Sequence, residues 1–308
     1  MKRVAIIDMG TNTFNLLIVS VNGDNSFQIL HSGKLPVKLG EGGINQKFIA
    51  PPAFQRGIEA IGEHLRTILL HGAGTIYAFA TSATRNATNG RDFVNEINKL
   101  FGIKVDVIEG DREAELIYLG VRQAIELGDE KSLIIDIGGG SNELIIADGK
   151  QHYWKRSYDL GISRLLQMFN PTDPIFPSEI EVLENYFTEQ MHDLDEMMQL
   201  YKPIKLIGSS GSFDTYRSIL SAAGRIAPNG NPSVEIPFDE YIQLHKKLIA
   251  STVEQRKQIP GMEPVRVEMI GVASIFTHYL IRHYDLKSLY QSTYALKEGA
   301  IWSILNNG

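Results

Sequence analysis

The chain has 308 residues, 43% hydrophobic and 21% charged, the balance of a globular protein with one large or two ordinary domains. That composition excludes a disordered chain, a collagen-like repeat and a coiled-coil rod. The absence of cysteine excludes disulfides, thiolate zinc sites, iron–sulfur clusters and a cysteine nucleophile. A net charge of −6 leaves no broad basic face for nucleic acid, although a small anionic substrate needs only local positive potential.

The first apolar run, residues 4–7, reads as a strand and breaks at Asp8. That is too early for a signal peptide or a membrane span, and no later stretch is apolar for the ~18 residues a membrane helix needs. The cytoplasm is the expected compartment, with no membrane partner. A turn-rich loop, residues 8–13, leads to a second strand at 14–21, hairpin chemistry at 22–25 and a third strand at 26–31. Pro51-Pro52 opens a helix whose apolar positions recur with helical spacing to Leu69. A buried strand follows at 75–80, a polar loop at 81–90, a helix at 93–101, a strand at 105–108 and a helix at 110–127.

The opening pattern then recurs. Residues 133–136 form an apolar strand ending on Asp136, followed by the loop Ile137-Gly138-Gly139-Gly140-Ser141-Asn142, a strand at 143–147, a turn at 148–150 and a strand at 151–158. Asp8 and Asp136 are 128 positions apart, as are Gly10 and Gly138, and Thr13 and Ser141. This is an internal duplication. Helices are expected at 162–169, 177–200, 212–223, 238–250, 265–283 and 297–305, strands at 205–207 and 288–290, and a loop at 229–232. The chain therefore reads as an α/β protein of two related domains.

A strand ending in aspartate and a glycine-rich loop can present backbone N–H groups and hydroxyls to phosphate, while the aspartate holds Mg²⁺. Two such loops facing across a cleft would clamp an oligophosphate. Glu143 supplies a second carboxylate to one loop only, since the matching position in the first copy is Asn15. Arg85, in the hydroxyl-rich stretch 81–87, is either a phosphate ligand or a surface arginine; spacing does not choose. Glu113 is either an acid suited to a helix N-terminus or a general base that deprotonates water. Gly208-Ser209-Ser210-Gly211-Ser212 is a plain loop or a third anion site at a helix start.

On these motifs the chain resembles the actin/Hsp70/sugar-kinase fold, two duplicated ribonuclease-H-like domains with a cleft between them. More specifically it resembles the exopolyphosphatase and guanosine pentaphosphate phosphohydrolase (Ppx/GppA phosphatase) family. The resemblance rests on residues 7–13, 80–87, 110–114 and 135–143, with weaker support at 208–211 and 296–299. It implies domains over 1–127 and 128–295, with a C-terminal helix, 296–308, packing back on the first. It assigns Glu113 as catalytic base and Asp136 and Glu143 as Mg²⁺ ligands. Asp8, Gly10, Thr11, Asn12, Arg85, Gly138, Gly139, Gly140 and Ser141 become phosphate ligands. The implied reaction is release of terminal phosphate from inorganic polyphosphate, of the 5′-phosphate of pppGpp, or of both, by a homodimer; a K⁺ requirement is left open.

The chain departs from the family pattern at Arg112 and Glu115 in the base motif, at Asn142 and at Lys38. Two other readings follow. Arg112 and Glu115 would suit a polyphosphate- or nucleotide-binding regulator with little turnover, and the same loops serve ATP-dependent kinases.

Overall fold

A computed structural model describes residues 2–24, 26–227 and 230–306. The expected turn residue Asn25, the loop residue Asn229 and the last two residues of the C-terminal segment lie outside the described residues. The strands are β1 (Lys2–Met9), β2 (Thr13–Val21), β3 (Phe27–Pro36), β4 (Thr75–Ala80), β5 (Val105–Val107), β6 (Ser132–Ile137), β7 (Asn142–Ala147), β8 (His152–Tyr158), β9 (Lys205–Ser209), β10 (Ser233–Ile236) and β11 (Ser288–Ser292). The helices are α1 (Pro51–Leu70), α2 (Ser82–Arg85), α3 (Gly90–Phe101), α4 (Gly110–Ala124), α5 (Ile162–Phe169), α6 (Pro177–Gln190), α7 (His192–Tyr201), α8 (Gly211–Ala222), α9 (Phe238–Ile249), α10 (Val253–Lys257), α11 (Ile270–His283) and α12 (Leu296–Asn306).

The strands form two sheets, ordered β3-β2-β1-β4-β5 and β10-β11-β9-β6-β7-β8. In each, an antiparallel meander is extended by parallel strands: β1 pairs β2 antiparallel and β4 parallel, and β6 pairs β7 antiparallel and β9 parallel. The duplication is visible in the register. Asp8 faces Asn15 across β1–β2, and Asp136 faces Glu143 across β6–β7, a shift of 128 at every position. This is the duplicated ribonuclease-H-like, actin-like architecture.

Both faces of each central strand are covered, which is why these strands read as unbroken apolar runs. In β1, Ala5, Ile7 and Met9 enter one core with α1 and α3, while Val4 and Ile6 enter another. In β7, Leu144 and Ile146 join the outer core of the second sheet, and Ile145 and Ala147 turn inward. The inward residues of both sheets meet a single layer made by α4 and α12. α12 therefore packs on α4, β1 and β2 although it closes the chain. The two helices approach until backbone touches backbone: a Cβ built on Gly299 would lie 1.8 Å from the Leu116 carbonyl oxygen.

Several elements differ from the sequence expectation. The single helix expected at 177–200 is broken at Met191, whose φ of −116° and ψ of 23° leave the helical region. The break turns α7 so that Leu194 and Met198 stay in the core with Phe187 and Met191. The helix expected at 265–283 begins only at Ile270, after a 3₁₀ turn at Pro264–Arg266. The loop 81–90 contains α2, and β1 and β6 each run one residue past the aspartate. The short β10 and α10 carry too few periodic positions to be seen in sequence.

Candidate active site

The glycine loops after β1 and β6 meet at one end of the α4–α12 layer and bound a cleft of about 340 Å³. Eleven of the twelve residues singled out in the sequence line it: Asp8, Gly10, Thr11, Asn12, Glu113, Asp136, Gly138, Gly139, Gly140, Ser141 and Glu143. The twelfth, Arg85, lies behind Glu113 and lines a separate cavity.

The two loops are built alike. Gly10 N–H donates to Thr13 O at 3.1 Å, and Gly138 N–H donates to Ser141 O at 3.1 Å. These bonds close the turns, leaving the intervening residues at the cleft. The facing backbones are too close for side chains. A Cβ on Gly139 would lie 2.4 Å from Asn12 Nδ2, and one on Gly140 would lie 2.6 Å from both Thr11 Oγ1 and Ser82 Oγ. Ser82 Oγ is buried without a hydrogen-bond partner at this point, placed to donate to an oxyanion between the loops. Asn12 is engaged differently: its amide donates to Met269 Sδ at 3.0 Å and accepts from Ser163 Oγ at 2.8 Å. It ties the first loop to the second half of the chain.

The carboxylates share one part of the cleft. Glu113 stands in the first turn of α4 and is 7% exposed. Burial and the neighbouring charge of Glu143 push its pKa well above the usual range, against the pull of Arg85. Arg85 Nη1 donates to Glu113 Oε2 at 2.9 Å and to Ile108 O at 2.8 Å. Burial and Glu143 likewise raise Asp136, which accepts from Ser209 Oγ at 3.0 Å. Burial raises Glu143 in spite of hydrogen bonds from Ser157, at 2.6 Å, and Ser141. Burial pushes Asp8 up to about 6, opposed by Asn15 Nδ2, which donates to it at 2.9 Å.

Three cations at the cleft were not singled out in the sequence. Arg266, from the 3₁₀ turn, is 8% exposed, and its guanidinium lies over Gly211 at the start of α8. Its Nε has no hydrogen-bond partner. Lys297, at the start of α12, pairs with Glu298 at 3.0 Å. Lys34 reaches the cleft from β3. Only Lys297 had a sequence signal, in the 296–299 motif. The 208–212 loop joins the same cleft through Ser210 and Gly211, with Asp214 beyond them.

Five carboxylates, Asp8, Glu113, Asp136, Glu143 and Asp214, face three cations, Lys34, Arg266 and Lys297. An oligophosphate at the carboxylate end would be repelled without a metal ion between. The all-oxygen donor set and the paired placement of Asp136 and Glu143 fit Mg²⁺, which takes one or two carboxylates and fills its octahedron with phosphate oxygens and water. Among the described residues, no three Asp, Glu or His side chains form a cage of their own.

Fold and site together define an actin-like protein whose two glycine loops bound one polar cleft. The profile of the Ppx/GppA phosphatase family matches residues 17–308, and the chain belongs to that family. A crystal structure of an exopolyphosphatase from Cytophaga hutchinsonii is 36% identical and superposes with a TM-score of 0.95, covering 99% of this chain and 98% of its own. The Aquifex aeolicus Ppx/GppA family member, at 21% identity and TM-score 0.79 over 99% of this chain and 98% of its own, shares the fold. Exopolyphosphatase 1 of Mycobacterium leprae is 25% identical over 97% of this chain and 88% of its own length. Among the described residues, no helix is long and apolar enough to cross a membrane.

Arg112 and Glu115 do not enter the site. Arg112 Nη1 donates to Glu115 at 3.0 Å and Nη2 to Ser303 Oγ at 3.1 Å, while Glu115 also faces Lys155 at 3.7 Å. They fasten the far side of α4 to α12 and β8.

Proposed function

We propose that this protein is a Mg²⁺-dependent exopolyphosphatase that releases orthophosphate from the end of inorganic polyphosphate. The 5′-phosphate of pppGpp, which ends in the same phosphoanhydride, is proposed as a second substrate. The observation that carries the reading is Glu113: a buried carboxylate at the cleft wall, oriented by Arg85, with its pKa raised by burial and by the Glu143 charge. A carboxylate placed at the cleft wall and made more basic by its surroundings is suited to take a proton from water. The loops around Thr11 and Gly139-Gly140-Ser141 hold the terminal phosphate through N–H and hydroxyl donors, with Ser82 as a further donor. Asp136 and Glu143 hold Mg²⁺, which offsets charge on the transferring group. Arg266 and Lys297 attract the remaining phosphates. Positioning and electrostatics supply most of the rate in phosphoryl transfer. A homodimer is proposed as the working form.

The test is phosphate release with Mg²⁺ on long-chain polyphosphate, tripolyphosphate, pppGpp and ATP, with Glu113→Gln as control. Release from polyphosphate, abolished in the control, is the expected result. Ligand binding without release would identify a regulator. ATP consumption only with a hydroxyl acceptor would identify a kinase.

A further inference from the structure

A second cavity, of about 370 Å³, lies behind the catalytic carboxylates. Two hydrogen-bonded pairs stand between it and the main cleft. Arg85 lines the second cavity and Glu113 the first, joined at 2.9 Å. Ser157 lines the second and Glu143 the first, joined at 2.6 Å. At Gly110 the partition is bare backbone: a Cβ there would lie 2.4 Å from Ser157 Cβ and 3.8 Å from Arg85 Nη2. The wall is thus polar and one side-chain pair thick.

We propose that this second cavity is the exit for inorganic phosphate, with Arg85 as its gate. The inference rests on the phosphohydrolase reading of the main cleft. Hydrolysis at a chain end leaves orthophosphate at the carboxylates, with the rest of the polyanion filling the cleft in front of it. Lys34, which lines the cleft, is also tied to Glu263 of the second half of the chain at 2.5 Å. Departure through the back lets the shortened chain stay bound. The back offers a small anion the Arg85 guanidinium and the first-turn N–H groups of α4, with the Asn86 amide, which donates to Asp159 Oδ1 at 3.1 Å, beside them. The acids of the same cavity, Glu109, Asp111 and Asp159, oppose its retention and favour discharge to solvent.

Asp111 is exposed at the start of α4, so Asp111→Trp plugs the cavity with little risk to folding. Asn86→Trp plugs it from an independent segment, and Asp111→Ala and Asn86→Ala remove the same side chains without plugging. Bond cleavage is followed by rapid quench with enzyme in excess over tripolyphosphate. Phosphate release is followed over many turnovers with long-chain polyphosphate. In both tryptophan variants we expect cleavage within twofold of the unaltered protein, multiple-turnover release down at least fivefold, and a burst of one phosphate per site. The alanine variants should keep the cleavage rate and slow release far less than the tryptophan variants do. Unchanged release in both tryptophan variants overturns the exit, as does an equal loss of cleavage and release. No release from any phosphate chain by the unaltered protein overturns the phosphohydrolase reading itself.

Discussion

Arg85 reaches Glu113 from behind the cleft, its Nη1 shared between Glu113 Oε2 at 2.9 Å and Ile108 O at 2.8 Å. The side chains are 12% and 9% exposed, so the contact is shielded from water and salt. In this geometry Arg85 fixes the carboxylate and opposes the burial and the Glu143 charge that raise its pKa. Arg85→Met should shift the base limb of the pH–kcat/KM profile upward, with kcat at neutral pH falling at least about tenfold. A rise in KM with an unmoved pH limb would make Arg85 a phosphate ligand instead.

Glu113→Gln keeps the shape of the side chain and removes the proposed base. Turnover should fall by roughly 10²–10⁴-fold, the reach of one acid–base group, while tripolyphosphate affinity measured by calorimetry stays within a few-fold. The same change removes one of several mutually repelling carboxylates. The variant should therefore melt at a higher temperature than the unaltered protein at pH 7.5, a stability gain at the expense of activity. Full turnover in this variant would remove Glu113 from the mechanism.

The contrast between legible and hidden parts of the site follows from sequence distance. The two loops announce themselves because strand, turn and strand are contiguous, and the duplication repeats them at one spacing. The closing bonds at Gly10 and Gly138 and the pairing of Asp8 with Asn15 and Asp136 with Glu143 are local consequences of that spacing. Arg266 and Ser163 arrive from segments with no motif of their own, carried in by packing against Gly211 and Asn12. Arg85 shows the opposite limit: its segment was recognisable, but only the fold shows which side of Glu113 it occupies.

Arg112 looked like a departure within the base motif, yet its guanidinium points to Glu115 and Ser303. Arg112→Ala should leave kcat and KM within about twofold. At 44% side-chain exposure, its ion pair adds at most about 1 kcal/mol of stability. A tenfold change in kcat would show that the α4 surface communicates with Glu113.

Gly120 and Gly299 set the distance between α4 and α12. A Cβ on Gly120 would lie 2.0 Å from the Ala295 carbonyl oxygen and one on Gly299 1.8 Å from that of Leu116. Backbone cannot yield as a side-chain tip does, so Gly299→Ala should destabilise the protein by about 3 kcal/mol, read as a lower urea midpoint. Because α4 carries Glu113 and α12 carries Lys297, separation of the helices should also lower kcat. An unchanged midpoint would show that the helices slide apart without cost.

Asp8 gives the stability of the protein a pH dependence with a definite sign. Burial raises its pKa from 3.8 to about 6, so folding favours the protonated form. The resulting stabilisation is fully present below about pH 3.8 and is lost as the pH rises through about 6. Two pKa units correspond to at most about 3 kcal/mol, less what water in the cleft screens. Paired surface acids such as Asp24 and Glu179, whose pKa values are lowered by hydrogen bonds, act in the opposite sense below pH 4. The difference between the unaltered protein and Asp8→Asn isolates the cleft. Without divalent cation, the stability advantage of Asp8→Asn should grow between pH 4 and pH 7. Mg²⁺ should raise the melting temperature of the unaltered protein more at pH 8 than at pH 5, because ionised carboxylates bind it and protonated ones do not. Equal Mg²⁺ effects at the two pH values would mean that the cation binds away from these carboxylates.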